Sequence, residues 1–336
     1  MRRNINCLLL ILSLLMLSAC QKNRFEIEVG EVKGVKIKID RFDRDFHAMD
    51  TTRLQDEVSR MRQRYGRFFD LFVNSQIQGA LDTTLTLEQR LNGFLNDSFY
   101  QENLYPECQT VFNDVTDIEH ELDTAFRYIH YYFPEKKIPH IGLHISGFGN
   151  SVMVTPDRIS SSIDCYLGSD YAPYSQIVFD YQRKKMTRAN VALDLVYAYL
   201  ATEFEEDSQK NLLQCMVNRG KLLYLMTIFL PNRSDAEILG FDEEQYKWCV
   251  ENEKQMWDYL IEQKRLYNTS HLVITKFVEP APFTSEFPQE SPGQAVLWLG
   301  LKIVRQYMDN NTSVSLSDLM NEKNEQKILE GSRYKP

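Results

Sequence analysis

The sequence predicts an α+β fold that is mainly α, with a small sheet beside packed helices in one domain over residues 25–336. Three observations predict it. Segments of period-two or strand-like composition occur near residues 25–42 and 141–167, while helical periodicity fills most of the remainder. The stretch 191–201 is apolar nearly all round apart from Asp194, as a helix inside a large core must be. No repeat, low-complexity tract or flexible linker divides the chain.

The chain opens with Arg2 and Arg3, followed by an apolar run from Cys7 to Leu17 broken only by Ser13. A bilayer span needs roughly 20 apolar residues. This shorter run therefore reads as the hydrophobic region of an export signal over residues 1–19. It ends Leu17-Ser18-Ala19-Cys20, the form of a lipobox. Small residues at 18 and 19 let the backbone enter a peptidase cleft, and the Cys20 thiol is the nucleophile that accepts diacylglycerol. An ordinary secretory leader with an incidental cysteine is disfavoured, because polar sequence begins at once at Gln21-Lys22-Asn23-Arg24. Membrane lipid, including palmitate, held through Cys20 is the expected anchor, since two or more acyl chains hold a protein stably. Residues 20–24 are the lipidated cysteine and a short tether, in which Gln21 to Arg24 can extend roughly 13 Å. Residue 21 is Gln and not Asp, and no acidic run follows. The expected location is the cell envelope, facing the periplasm, with the outer membrane favoured over the inner.

Val35-Lys36-Ile37-Lys38-Ile39 alternates apolar and charged, the pattern of a half-buried strand, with Arg41-Phe42-Asp43 closing it. Helices are predicted near 52–72, 86–96 and 117–133, the third capped by Asn113 or Asp114 and ended by Pro134. Strands are predicted over 141–145, 151–154 and 162–167, divided by turns at Gly147-Phe148-Gly149-Asn150 and Pro156-Asp157. A tyrosine-rich loop occupies 168–181, and further helices are predicted near 188–206, 208–229, 243–266 and 292–309. Pro231 stops the second of these, and Ser291-Pro292 has the form of an N-cap and first helical residue for the last. Between them, Val278–Pro292 holds four of the chain's 11 prolines, which predicts an ordered strap anchored by Phe283 and Phe287.

The whole chain carries a net charge of −9, more negative once Arg2 and Arg3 leave with the signal. That excludes nucleic acid as a partner, whose binding needs clustered Lys and Arg. It also gives no attraction to anionic lipid, so acyl chains must do the holding. Cys108, Cys165, Cys215 and Cys249 form no CxxC. The compartment permits disulfides, but spacing selects no pairing, and buried free thiols are the expectation.

Candidate chemistry is sparse. No phosphate-binding glycine loop and no GxSxG occurs. His140 and His144 are four apart, but in a predicted strand that spans about 13 Å, too far to share an ion. Asp117, His120 and Asp123 share one helical face, read as solvated. Gly293 and Gly300 are seven apart in the last predicted helix and read as a close-packing side. Tyr166, Tyr171, Tyr174 and Tyr181 either cover a sheet edge or line a groove.

Several stretches resemble those of the GldB family, gliding motility-associated lipoproteins of Bacteroidota. They are Ile39-Asp40-Arg41-Phe42-Asp43, Ser146-Gly147-Phe148, and Ile163-Asp164-Cys165-Tyr166-Leu167-Gly168-Ser169-Asp170-Tyr171. Arg183-Lys184-Lys185-Met186-Thr187 and Gly220-Lys221-Leu222-Leu223-Tyr224 follow. The C-terminal set is the most specific: Trp248-Cys249, Trp257, Ala281-Pro282-Phe283-Thr284, Glu290-Ser291-Pro292-Gly293, Trp298-Leu299-Gly300 and Ile303-Val304-Arg305-Gln306-Tyr307-Met308. The resemblance implies an envelope lipoprotein linked to gliding motility and its secretion apparatus, with other envelope, motility or secretion proteins as partners. It also implies a body distantly similar to zincin metallopeptidases, which carry HExxH on a helix after a small sheet and a third ligand on a later helix. Here the first helix reads Asn190-Val191-Ala192-Leu193-Asp194-Leu195-Val196-Tyr197-Ala198, without histidine. The later motif reads Arg219-Gly220-Lys221-Leu222, with arginine where the ligand glutamate would stand.

Two readings follow. The first is a non-catalytic binding or assembly component, not an enzyme, with no cofactor and no metal. In it Asp194 and Arg219 are the remnants of a vestigial site, and Arg219 fills the metal's space beside Asp194. The alternative is a zincin-like peptidase or other hydrolase with an atypical site. Zinc catalysis needs three protein ligands and an open position, and three ligands at a workable spacing are not found.

Overall fold

The computed structural model describes residues 24–77, 84–204 and 211–336. The signal region and Cys20 lie outside the described residues. Val35, Ile37 and Ile39 are buried while Lys36 and Lys38 are exposed, as the alternation requires. Only Ile39–Arg41 pairs as a strand, β1. The Ile37 N–H donates instead to Asp123 at 3.0 Å and the Ile39 N–H to Glu119 at 2.9 Å. A helix thus satisfies this edge with carboxylates, so the face carrying Asp123 is not simply solvated. Arg41-Phe42-Asp43 does not close the strand but opens helix α1 (Phe42–His47).

Predicted helix 52–72 is two helices, α2 (Leu54–Tyr65) and α3 (Arg67–Ser75), broken at Gly66, whose φ of 53° ends the first. Helix α4 (Leu87–Leu95) starts at a Thr86–Gln89 capping box. The helical turn at Tyr100–Leu104 leads into α5 (Tyr105–Val111), a stretch without a clear period in the sequence. Helix α6 (Thr116–Tyr132) ends before Pro134, and Asp114 accepts the Thr116 N–H at 2.9 Å. Phe42, Phe46, Tyr65, Phe68 and Phe72 from α1, α2 and α3 meet mostly edge to face, at centroid distances of 4.8 to 6.4 Å.

The sheet comprises β1, β2 (His140–His144), β3 (Val152–Thr155) and β4 (Arg158–Ser162), in the order β1-β2-β4-β3. Its first three strands are parallel and β3 lies antiparallel at the edge. The last strand falls four residues before its predicted place. Residues 163–165 form a 3-10 turn instead, because Asp164 is drawn inward to cap the loop after β2. Asp164 accepts the N–H groups of Ser146 at 3.2 Å and Phe148 at 2.6 Å, and also the Ser162 hydroxyl.

His144 is fully buried on β2, with Phe68 and Phe72 edge-on to its ring. Its Nδ1 lies 2.9 Å from Ser160 Oγ and its Nε2 has no partner. Burial alone pushes its pKa from 6.5 down to about 3. Between those values the unfolded chain binds a proton that the folded chain refuses, so stability falls as pH falls, by about 1.4 kcal/mol per unit. Asp164 works the other way, because burial raises its pKa and the folded state takes up its proton first. Urea titrations from pH 7 to 4 are expected to show a shallower acid loss for His144→Gln, by about that slope. Parallel curves for the two proteins would contradict this reading of His144.

The C-terminal half is helical. Helix α7 (Asp180–Arg183) precedes two long helices, α8 (Asn190–Glu203) and α9 (Leu212–Phe229). Then come α10 (Asp235–Leu239), α11 (Glu243–Glu251), α12 (Glu253–Glu262) and α13 (His271–Val278). Helices α14 (Ala295–Asn310), α15 (Leu316–Asn321) and α16 (Glu325–Ser332) close the chain. The predicted helix 243–266 divides at Asn252, and α13 falls in a region left unassigned by periodicity.

Helices α9 and α14 cross with their backbones in contact. A Cβ on Gly220 would stand 2.5 Å from the Gly300 carbonyl, and one on Gly300 would stand 2.1 Å from the Met216 oxygen. Gly293 is not in this helix, and its own close neighbour is the Ala281 oxygen. Nor do Ser291 and Pro292 start it. The Thr284 hydroxyl, buried in the strap, accepts the Ala295 N–H at 3.0 Å and donates to the Pro292 carbonyl at 2.7 Å. The strap therefore caps α14 from outside its own sequence. Phe287 is buried in it and Phe283 only half-buried.

Candidate functional site

Three segments enclose a surface cleft of about 480 Å³. Tyr181 to Lys185 and the first turn of α8 form one wall, the Gly240–Asp242 turn after α10 a second, and the strap at Pro280–Pro282 and Pro292–Gln294 the third. Lys185, Asn190, Glu237, Gly240 and Gln294 also border a smaller cavity of about 200 Å³ beyond it. That inner cavity runs between α8 and α9 and has Leu193, Leu223, Met226 and Leu297 among its walls. Asp194 and Arg219 both line it.

The structure thus brings the two sequence candidates to one cavity but does not pair them. The Tyr166 hydroxyl donates to Asp194 Oδ2 at 2.6 Å. Arg219 donates to the Val278 carbonyl and lies 3.5 Å from Glu279. The reason is local. Val278 ends α13, and a helix C-terminus offers unsatisfied carbonyls and a negative dipole end. Arg219 takes that nearer partner, and the tyrosine after the 3-10 turn reaches Asp194 first. Burial raises the Asp194 pKa above the usual carboxylate range, against the pull of Tyr166 and the Lys185 charge.

Lys185 is the residue that spacing could not find. Its side chain is exposed along the cleft, while its ammonium is surrounded by protein on several sides. That surrounding lowers its pKa, and the Asp194 charge opposes the shift. Gly240 makes this possible. Its φ of 67° forms the turn after α10, and a Cβ there would come within 2.7 Å of Lys185 Nζ. The other cations at the cleft are committed. Lys184 pairs with Asp242 at 2.9 Å, and Arg233 holds Glu121 at 2.6 Å and Glu237 at 3.0 Å.

The remaining candidates are placed elsewhere. Tyr174 is fully buried and its hydroxyl donates to the Asp164 carbonyl at 2.6 Å, so with Tyr166 it covers the sheet end. Tyr181 instead lines the cleft. His140 is exposed at the start of β2 and His144 buried at its end. His120 is exposed, and Asp117 pairs with Arg188. Cys108, Cys165, Cys215 and Cys249 are all free and buried. Among the described residues no three His, Cys, Asp or Glu side chains gather so as to hold a metal ion, and no helix is long and apolar enough to cross a membrane.

A family model described as gliding motility protein GldB matches the chain over residues 22–336. No curated protein and no solved structure matches it.

Proposed function

The chain belongs to the family of gliding motility protein GldB, and from this premise we propose that it is a lipid-anchored, periplasm-facing envelope component with a binding or assembly role and no catalysis of its own. The observation that carries the anchoring is the place where the family match begins. It starts at residue 22, two residues beyond the cysteine that ends the lipobox. The family match thus begins just past the residue that a lipid would hold. Gln21 supports the outer membrane over the inner.

The absence of catalysis rests on what lines the inner cavity. In the zincin-like reading of the body, α8 and α9 are the helices that would carry a metal, and Asp194 and Arg219 mark the lost site. Asp194 and Glu237 border that cavity beside the cations Lys185 and Arg219, two carboxylates where zinc catalysis needs three protein ligands. Metal analysis of the full-length protein, purified without chelator, is expected to find no stoichiometric zinc. Zinc at one ion per chain, with proteolysis of an unfolded substrate that a chelator abolishes, would replace this reading with a hydrolase. Crosslinking in the native envelope is expected to capture other envelope proteins on the lipidated chain.

A further inference from the structure

The cleft has two compartments that meet at Lys185, Asn190, Glu237, Gly240 and Gln294. The inner cavity, about 200 Å³, is lined by Leu193, Leu223, Met226 and Leu297 together with Asp194 and Arg219. An apolar cavity of about 150 Å³ accommodates benzene, so by volume this one has room for a single large side chain, against its leucine and methionine walls. At its mouth stands Lys185, which among the described residues lining the cleft is the cation whose side chain makes no hydrogen bond or ion pair. Asp194 does not neutralise it by contact, being bonded through Oδ2 to Tyr166.

The outer compartment suits a main chain. Asn190 donates its amide to the Lys185 carbonyl at 2.6 Å and Gln294 donates its amide to the Val278 carbonyl at 2.7 Å. Both amide oxygens are left to accept N–H groups from a ligand. The Pro280–Pro282 wall of the strap gives a stiff surface alongside them.

We propose that this cleft binds the carboxyl-terminal end of a polypeptide with a large apolar last residue. The side chain enters the inner cavity, the terminal carboxylate meets Lys185, and the preceding N–H groups meet Asn190 and Gln294. The inference rests on the binding role proposed above and names the ligand class. Lys184, Arg219 and Arg233 are paired with Asp242, Glu279 and Glu237, so Lys185 is the cation left for an anionic group of a ligand.

The test uses the full-length lipidated protein in nanodiscs, immobilised, and two pentapeptide pools randomised at every position. One pool ends in a free carboxylate and the other in a carboxamide. Mass spectrometry of retained peptides is expected to show the free-acid pool retained at least tenfold over the carboxamide pool, with Leu, Ile, Met and Phe enriched at the last position. Lys185→Met, at an exposed side chain, is expected to abolish that selectivity, and Lys185→Arg to restore most of it. Equal retention of the pools, no preference at the last residue, or selectivity unchanged in Lys185→Met would overturn the proposal. Lys185-dependent binding of 4-phenylbutyrate with neither pool retained would also overturn it, in favour of a small carboxylate. Peptides recovered shortened would overturn the non-catalytic reading instead, leaving the end selectivity to decide the ligand.

Discussion

Gly300→Ala is expected to destabilise the protein by about 3 kcal/mol or more, at or beyond the upper end of ordinary overpacking. The added methyl group would stand 2.1 Å from the Met216 carbonyl oxygen on α9, and backbone has no rotamer by which to escape. Helix propensity alone predicts the opposite sign, a gain of about 1 kcal/mol. Gly93→Ala in α4 is the control, because a Cβ there meets nothing within 4 Å. That variant is expected to gain stability by about 0.5–1 kcal/mol. Urea midpoints for both variants decide the matter. A neutral or stabilising Gly300→Ala would mean that the α9–α14 crossing is looser than its geometry implies. Gly220→Ala is expected to behave like Gly300→Ala, since its own Cβ would meet the Gly300 carbonyl at 2.5 Å.

Cys20→Ala is expected to leave a precursor larger than the mature protein by the signal segment, with no incorporation of labelled palmitate. In the proposed lipoprotein, the Cys20 thiol of Leu17-Ser18-Ala19-Cys20 is the group that takes the diacylglycerol, and cleavage before residue 20 would depend on it. Electrophoresis and palmitate labelling read the two effects separately. A variant of unchanged size that still carries lipid would remove the anchor from the proposed function, while the cleft and its ligand would be unaffected.

The N-terminal segment shows how far a period can be trusted. The alternation at Val35, Ile37 and Ile39 correctly gives the buried face, because side-chain direction in extended chain is local geometry. It does not give the partner. Glu119 and Asp123 satisfy two N–H groups that a neighbouring strand would otherwise take, and they lie 80 and 86 residues away. The start of α14 has the same character. Ser291-Pro292 carries the local signature of a helix start, yet Thr284 caps the helix from across the strap. Capping needs an acceptor at the right point in space, and the chain supplied one from elsewhere.

Gly300 was legible as a close-packing position, but Gly293 lies outside the helix predicted to hold both, and Gly220 carried no packing signal of its own. Gly220 and Gly300 oppose each other across two helices, while Gly293 faces Ala281. The candidate site divides similarly. Asp194 stood out because a lone carboxylate on an otherwise apolar helix must be accounted for. Its partner Tyr166 and its neighbour Lys185 sit in stretches that resemble the family, but no spacing connects positions 166, 185 and 194.

By itself, then, the sequence determined the mainly helical α+β class, the family, and which helix is buried, because each is carried by local pattern or by contiguous motifs. Only the tertiary structure decided the order of the sheet, the division of Asp194 and Arg219 between separate partners, and the meeting of Lys185, Asn190 and Gln294 at one cleft. Those depend on which distant segment arrives first with a matching donor, acceptor or gap, and that is fixed by three-dimensional packing.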